Sequence, residues 1–245
     1  MLKRAAFLVY GVACYVIFLG TFLYAVGFIG GFGVPRPLDG APEGPLGTAV
    51  LIDVGLLTLF AVQHSVMARR WFKAAWTRII PVPLERSTYV LFSSLALIAL
   101  LWGWRPLGGS VWMVEDPAGR FVLRALFGFG WGLVLVVTFL IDHFDLFGLR
   151  QVWLFASGRQ YTPSAFVTPG PYRLVRHPLY VGWFFAFWMT PTMTLSHLLF
   201  AVATTAYILV AIQFEERDLI HVHGGAYEEY RRRVPMLWPF GRRPA

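Results

Sequence analysis

The sequence predicts an all-α integral membrane protein: four transmembrane helices followed by a C-terminal helical hairpin and a cytoplasmic amphipathic tail. Three observations predict it. Of the 245 residues, 57% are hydrophobic and only 14% charged, and the mean hydropathy of +0.60 is far from that of a soluble domain. Apolar stretches recur at lengths that cross a bilayer, which takes about 20 residues per helix. The lysines and arginines gather at alternate ends of those stretches, as the positive-inside rule requires.

The four spans are expected at 5–33, 48–68, 87–104 and 121–141. The first follows Lys3 and Arg4 like a signal peptide, but its apolar run is too long and no clean small-residue cleavage site follows, so it is read as retained. It holds Cys14, the chain's one cysteine, which leaves no disulfide framework and no cysteine-cluster metal site. Asp53 in the second span is expected to pair with Arg124 or line an outer passage, and it receives no role. "FGFGWG" in the fourth span imitates a glycine-rich nucleotide loop. It has no preceding strand, and glycines inside a span serve close helix packing.

Residues 179–213 form a further apolar block broken by Pro191 within "TPTMTLSH", read as a hairpin of two short helices. The tail "AYEEYRRRVPMLWPF" reads as a basic amphipathic piece on the inner surface that closes a pocket. Two regions follow: a four-helix transmembrane region, 1–141, and a cofactor-binding region, 142–245.

With the N-terminus cytoplasmic, 17 of the 21 lysines and arginines fall inside, leaving Arg36, Arg105, Arg120 and Arg124 outside. The same asymmetry accounts for the net charge of +8. Because the cations spread over every inner segment, attraction to anionic lipid explains them and a nucleic-acid partner is not expected.

That topology brings polar residues to one depth at the inner face. The second span ends with Gln63 and His64, the fourth with Asp142, His143 and Asp145, and the hairpin opens with His177 and Tyr180 and returns with Glu215, Glu216 and Arg217. Ionisable groups near hydrocarbon are costly and tend to face an interior or a watered cavity, so the set predicts a site. Pro178 suits a first helical position, which puts His177 at the N-cap. The unpaired N–H groups and positive dipole end there can hold a carboxylate or phosphate, with Arg176 adding a full charge. Tyr180 shares the face of His177, and Thr168 to Tyr172 form a rigid turn leading in. A small zwitterion fits such a site, its acid group at the helix start and its amino or hydroxyl groups on Glu215 or Glu216. His221 and His223 diverge on a helix, and no metal site is expected.

"RHPLYVGW" followed by "FEERDLIHVHGGAYEEYRRRVPMLWPF" resembles the C-terminal signature of the isoprenylcysteine carboxyl methyltransferase superfamily of membrane methyltransferases. The resemblance implies S-adenosylmethionine as cofactor and implies that Arg176, His177, Pro178, Tyr180, Glu215, Glu216, Gly224 or Gly225, Tyr227, Tyr230, Val234 and Pro235 surround it. Tyr172, from the turn, completes the expected cofactor set. "GVACYVIFLGTFLYAVGFIGGFGVPRPLDG", "QHSVMARRWFK", "ERSTYVLFSS" and "FLIDHFDLFGLRQVW" resemble bacterial methanethiol S-methyltransferases and share features with NnrU-like accessory proteins of nitrogen-oxide metabolism. This implies a small thiol substrate, methanethiol giving dimethyl sulfide, in a bacterial inner membrane.

Methyl transfer from sulfonium to sulfur is an in-line displacement that needs alignment and a dry site. Even a free cysteine ionises only near pH ~8.5 and a simple alkyl thiol is a weaker acid still, so a proton acceptor is expected. His64 is the first candidate and His143 the second, with Asp142 or Asp145 orienting them. The alternative for His64 is a helix-to-helix hydrogen bond. A prenylcysteine carboxyl methyltransferase and an NnrU-like non-catalytic protein are the rival functions.

Overall fold

The computed structural model describes residues 1–163 and 166–240; Arg242 and Arg243, counted above among the inner charges, lie outside them. In chain order the elements are α1 (Leu2–Gly30), α2 (Leu46–Ala68), α3 (Arg70–Trp76), α4 (Val82–Gly103), β1 (Ser110–Met113), α5 (Pro117–Leu140), α6 (His143–Leu146), α7 (Leu149–Ala156), a 3-10 turn (Gly170–Arg173), α8 (Pro178–Trp188), β2 (Thr192–Thr194), α9 (Leu195–His223) and α10 (Gly225–Arg233). Five helices, α1, α2, α4, α5 and α9, are long and apolar enough to cross a membrane. The first four match the expected spans to within a few residues.

The hairpin differs from expectation. Its break falls around Pro191 as predicted, but its arms are unequal: α8 has 11 residues and α9 has 29. At 1.5 Å per residue α8 rises only about 16 Å, roughly half the ~30 Å hydrocarbon core, whereas α9 is long enough to cross. Helix α9 continues past residue 213 because neither glycine nor proline interrupts "QFEERDLIHVH"; it ends at Gly224, whose φ is 54°.

The chain forms two compact units: Met1–Gly109 with Asp142–Pro163 and Thr194–Ser196, and Ser110–Ile141 with Ser164–Met193 and His197–Ala245. The boundary expected after residue 141 is one point where the chain passes between them. Helix α5, however, belongs with the later segments, and α6 and α7 belong with the first helices.

In the first unit α4 runs parallel to α1, with Tyr10 and Thr88 hydroxyls 3.0 Å apart near their starts and Phe28 edge-on to Trp104 near their ends. It runs antiparallel to α2, with Tyr89 beside His64 and the Arg105 N–H donating to Asp53 Oδ1 at 2.8 Å. One end of the unit therefore carries Lys3, Arg4, Arg69, Arg70, Lys73, Arg78, Arg86, Arg150 and Arg159, and the other Arg36 and Arg105. Asp53 is fully buried, and its Oδ2 has no partner among the described residues. Helix α7 packs on α1 where Gly11 offers no side chain; a Cβ there would lie 2.5 Å from Val152 Cγ2.

In the second unit Asp116 caps α5 by accepting the Gly119 N–H at 2.7 Å, and Pro117 takes the first helical position, where its missing N–H costs nothing. Helices α5 and α8 cross antiparallel at a pair of glycines. A Cβ on Gly130 would meet Gly182 O at 2.7 Å, and one on Gly182 would meet Gly130 O at 2.9 Å and Val134 N at 3.0 Å. The packing role read for "FGFGWG" thus holds for Gly130, while Gly128 and Gly132 face open space. Edge-to-face pairs, Trp131 with Trp183 and Phe129 with Phe185, flank the crossing at 5.2 Å, each contributing about 0.5–1.5 kcal/mol. Because the obstruction at Gly182 is backbone, Gly182→Leu is expected to cost about 3 kcal/mol, the upper range for overpacking. The check is the melting temperature of the purified variant in detergent; an unchanged value would show that the crossing is loose.

Candidate functional site

The turn before α8 is built for rigidity. Gly170 adopts φ 51° with Leu140 Cδ1 3.5 Å from where a Cβ would sit, which seats the turn at the C-terminal end of α5. Pro178 opens α8 with His177 as N-cap, as the sequence predicts. The second unit holds the expected cofactor residues: Tyr172, Arg176, His177, Pro178 and Tyr180 from the turn and helix start, Glu215 and Glu216 from α9, Gly224, Gly225, Tyr227 and Tyr230 at α10, and Val234 and Pro235 beyond it.

Glu216 is the hub. Its side chain is 5% exposed, and Oε1 accepts from Arg176 Nε at 2.7 Å and lies 3.1 Å from His177 Nε2, while Arg231 Nε stands 3.2 Å from Oε2. A buried carboxylate needs such company, because desolvating it unpaired costs several kcal/mol. Arg176 also donates through Nη1 to the carbonyls of Arg231 at 3.0 Å and Val234 at 2.7 Å. The Arg176 and His177 N–H groups donate to the carbonyls of Pro235 at 2.8 Å and Met236 at 3.2 Å. Tyr230 donates to the Tyr172 carbonyl at 2.6 Å. The tail is thus stitched over the turn, and Arg176, read from the sequence as a charge for a ligand, has internal partners.

Glu215 is different: its side chain is 44% exposed and accepts the Tyr180 hydroxyl at 2.8 Å. It is the carboxylate of the pair with surface left for a ligand. Three tyrosines wall the cluster. Burial, with the charge of Glu215 adding to it, pushes the Tyr172 phenol well above its ordinary range; burial and then the Glu216 charge do the same for Tyr227; burial takes Tyr230 up to about 12 although Arg176 opposes it. All three therefore stay protonated hydrogen-bond donors near neutral pH. Tyr227 is 1% exposed, and its hydroxyl has no partner among the described residues.

The expected proton acceptors belong to the first unit. His64 lies with Nδ1 3.2 Å from Ser93 Oγ and Nε2 3.0 Å from Tyr89 Oη, stacked on Phe60. That is the helix-to-helix link held as its alternative. His143 is buried, with Nε2 2.8 Å from Tyr15 Oη, and burial lowers its pKa, so the imidazole is neutral at neutral pH. Asp142 adopts φ 82° and caps α6 by accepting the Asp145 N–H at 3.2 Å, with Arg150 Nη1 3.6 Å from Oδ2. Arg231 and Tyr15 carry no signal of their own in the sequence. Nothing separates Arg231 from its neighbours in "RRR", and Tyr15 reads as one more aromatic in a span.

Comparison with known proteins accords with this geometry. The phospholipid methyltransferase family model matches residues 124–225, which include α8, both glutamates and the start of α10. The chain is 60% identical to a methanethiol S-methyltransferase of Crocosphaera subtropica over 98% of its own length and 94% of the relative's. It is 53% identical to one of Mycobacterium tuberculosis over 99% of each. Nurim of Sus scrofa is 34% identical over 68% of this chain and 66% of its own. No solved structure matches.

Proposed function

The chain belongs to the methanethiol S-methyltransferase family, and on that premise we propose that it moves the methyl group of S-adenosylmethionine to a small thiol, methanethiol giving dimethyl sulfide, at the cytoplasmic face of a bacterial inner membrane. The observation that carries the reading is near full-length identity of 60% and 53% to relatives of that name. The asymmetric arginines and lysines of the first unit support the orientation.

The residues at the second unit's cluster fit an aminoacyl nucleoside. Glu215, half-exposed and oriented by Tyr180, is proposed to accept from ligand hydroxyl or amino groups, and the Leu179 N–H to meet its carboxylate, since Pro178 has no N–H and those of His177, Tyr180 and Val181 already donate to the Met236 and His177 carbonyls. The orphaned, buried Tyr227 hydroxyl gives the same cluster a further donor. Arg176, His177 and Glu216 act one layer back, fixing the turn and the tail, which is the preorganisation that alignment in a methyl transfer requires. When bound, S-adenosylmethionine supplies an electrophilic methyl on a sulfonium. The chain's own part in the chemistry is to take the thiol proton, a role we assign first to His64 and second to His143.

The test is direct. Purified protein in detergent, given methyl-labelled S-adenosylmethionine and methanethiol, is expected to release labelled dimethyl sulfide into the headspace. Transfer to a prenylcysteine analogue but not to methanethiol would replace the reading with a carboxyl methyltransferase, and donor binding without transfer to either would replace it with an accessory protein.

A further inference from the structure

The N-terminal end of α5 carries a feature the reaction does not use. In the second unit it lies at the end away from the Gly170 turn, since α5 meets the turn at Leu140 and crosses α8 at Gly130. An open surface hollow of about 540 Å³ there is lined by Glu115, Pro117, Arg120, Phe121 and Arg124. Arg120 reaches the Val114 carbonyl at 3.4 Å. Glu115 and Arg124 are both exposed, and among the described residues neither has a hydrogen-bond or ion-pair partner, including each other.

Two opposite charges that line one hollow without pairing leave both signs for a ligand. Arg124 also stands seven residues into a membrane-crossing helix, about 10 Å along its axis, where an arginine facing lipid needs a counter-charge. Below it on the same face, Gly128 and Gly132 open onto space within which a Cβ would meet nothing closer than 4 Å. Phe121, Leu135 and Phe139 line that strip with 74%, 45% and 54% exposure. With no side chain at Gly128 or Gly132, the strip is an open slot between those larger apolar side chains.

We infer that this end of α5 binds a zwitterionic phospholipid with a primary ammonium headgroup: Arg120 and Arg124 hold the phosphate, Glu115 holds the ammonium, and the glycine slot takes an acyl chain. Charge complementarity selects this occupant. A headgroup bearing only an anion leaves Glu115 unpaired, and a quaternary ammonium offers it no N–H donor. The site is separate from the donor cluster and does not depend on the reaction proposed above.

The experiment is native mass spectrometry and thermal unfolding of the full-length detergent-purified protein, titrated with phosphatidylethanolamine, phosphatidylglycerol, phosphatidylcholine or soluble glycerophosphoethanolamine. Phosphatidylethanolamine is expected to bind best, with soluble headgroup alone giving no shift. Arg124→Gln is expected to weaken it roughly tenfold, the size of one charge-assisted bond, and Glu115→Gln to erase the preference over phosphatidylglycerol. Gly128→Leu is expected to weaken every lipid alike, with turnover of all three variants unchanged. Equal binding of the three lipids, variants that match the parent, or a lipid-free dimer cross-linked through Gly128→Cys would overturn the assignment, the last because a second copy would then fill the slot.

Discussion

Glu216→Ala is expected to cost about 3–5 kcal/mol of stability, the usual penalty for removing one partner of a buried ion pair, and to abolish binding of the methyl donor. The carboxylate joins Arg176, His177 and Arg231. Arg231 is 49% exposed and can turn to water, but Arg176 is 9% exposed and would keep its charge with neither a counter-ion nor solvent. Because Arg176 also holds the carbonyls of Arg231 and Val234, the tail should loosen, and trypsin should cut faster at Arg231 to Arg233. Glu216→Gln, which keeps an acceptor but not the charge, is expected to lose less, about 1.5–3 kcal/mol. Thermal unfolding, donor binding and limited proteolysis of the two variants provide the check; a Glu216→Ala protein as stable as the parent would mean that the cluster does not hold the turn.

Replacing His64 with Ala is the second large effect. If the imidazole takes the thiol proton, turnover at saturating donor should fall about 10²–10⁴-fold, the usual range for general-base catalysis, while donor affinity stays put. Its contacts with Ser93 and Tyr89 define the competing result. A residue that only ties α2 to α4 would cost roughly 0.6–2 kcal/mol of stability with turnover per folded molecule unchanged. His143→Ala, measured in parallel, assigns the proton to the other histidine if it alone carries the kinetic loss. Tyr15→Phe then shows whether the hydroxyl 2.8 Å from that ring contributes.

The long helices are legible because hydropathy measures what a bilayer demands of a segment. What hydropathy cannot measure is where a helix stops once it leaves the oil. Helix α9 therefore reads as short from its apolar run alone, although "QFEERDLIHVH" holds nothing that breaks a helix. Helices α3, α6 and α7 are too short and too mixed in composition to give a period. The grouping of α5 with α8 rests on Gly130 meeting Gly182, an approach between residues far apart in the chain that no local pattern announces. The residues proposed to hold the cofactor stand out as a set because their spacing and chemistry are written along the chain. Their division of labour is not, since only folding reveals that Glu216 faces inward to three basic side chains while its neighbour Glu215 faces out, and that the carbonyls of the tail belong to Arg176.

That division gives the account its most direct test, the affinity of purified Glu215→Gln protein for S-adenosylmethionine. Because the Glu215 side chain is 44% exposed, accepts the Tyr180 hydroxyl at 2.8 Å and stands 3.8 Å from His177 Nδ1, contacts that an amide oxygen can keep, the substitution should leave folding stability within about 0.5 kcal/mol of the parent. Taking a charged acceptor away from the methyl donor's hydroxyl or amino groups should weaken binding roughly tenfold or more. A folded Glu215→Gln protein that binds S-adenosylmethionine as tightly as the parent would contradict the account, because the outward carboxylate of α9 would then have no part in holding it.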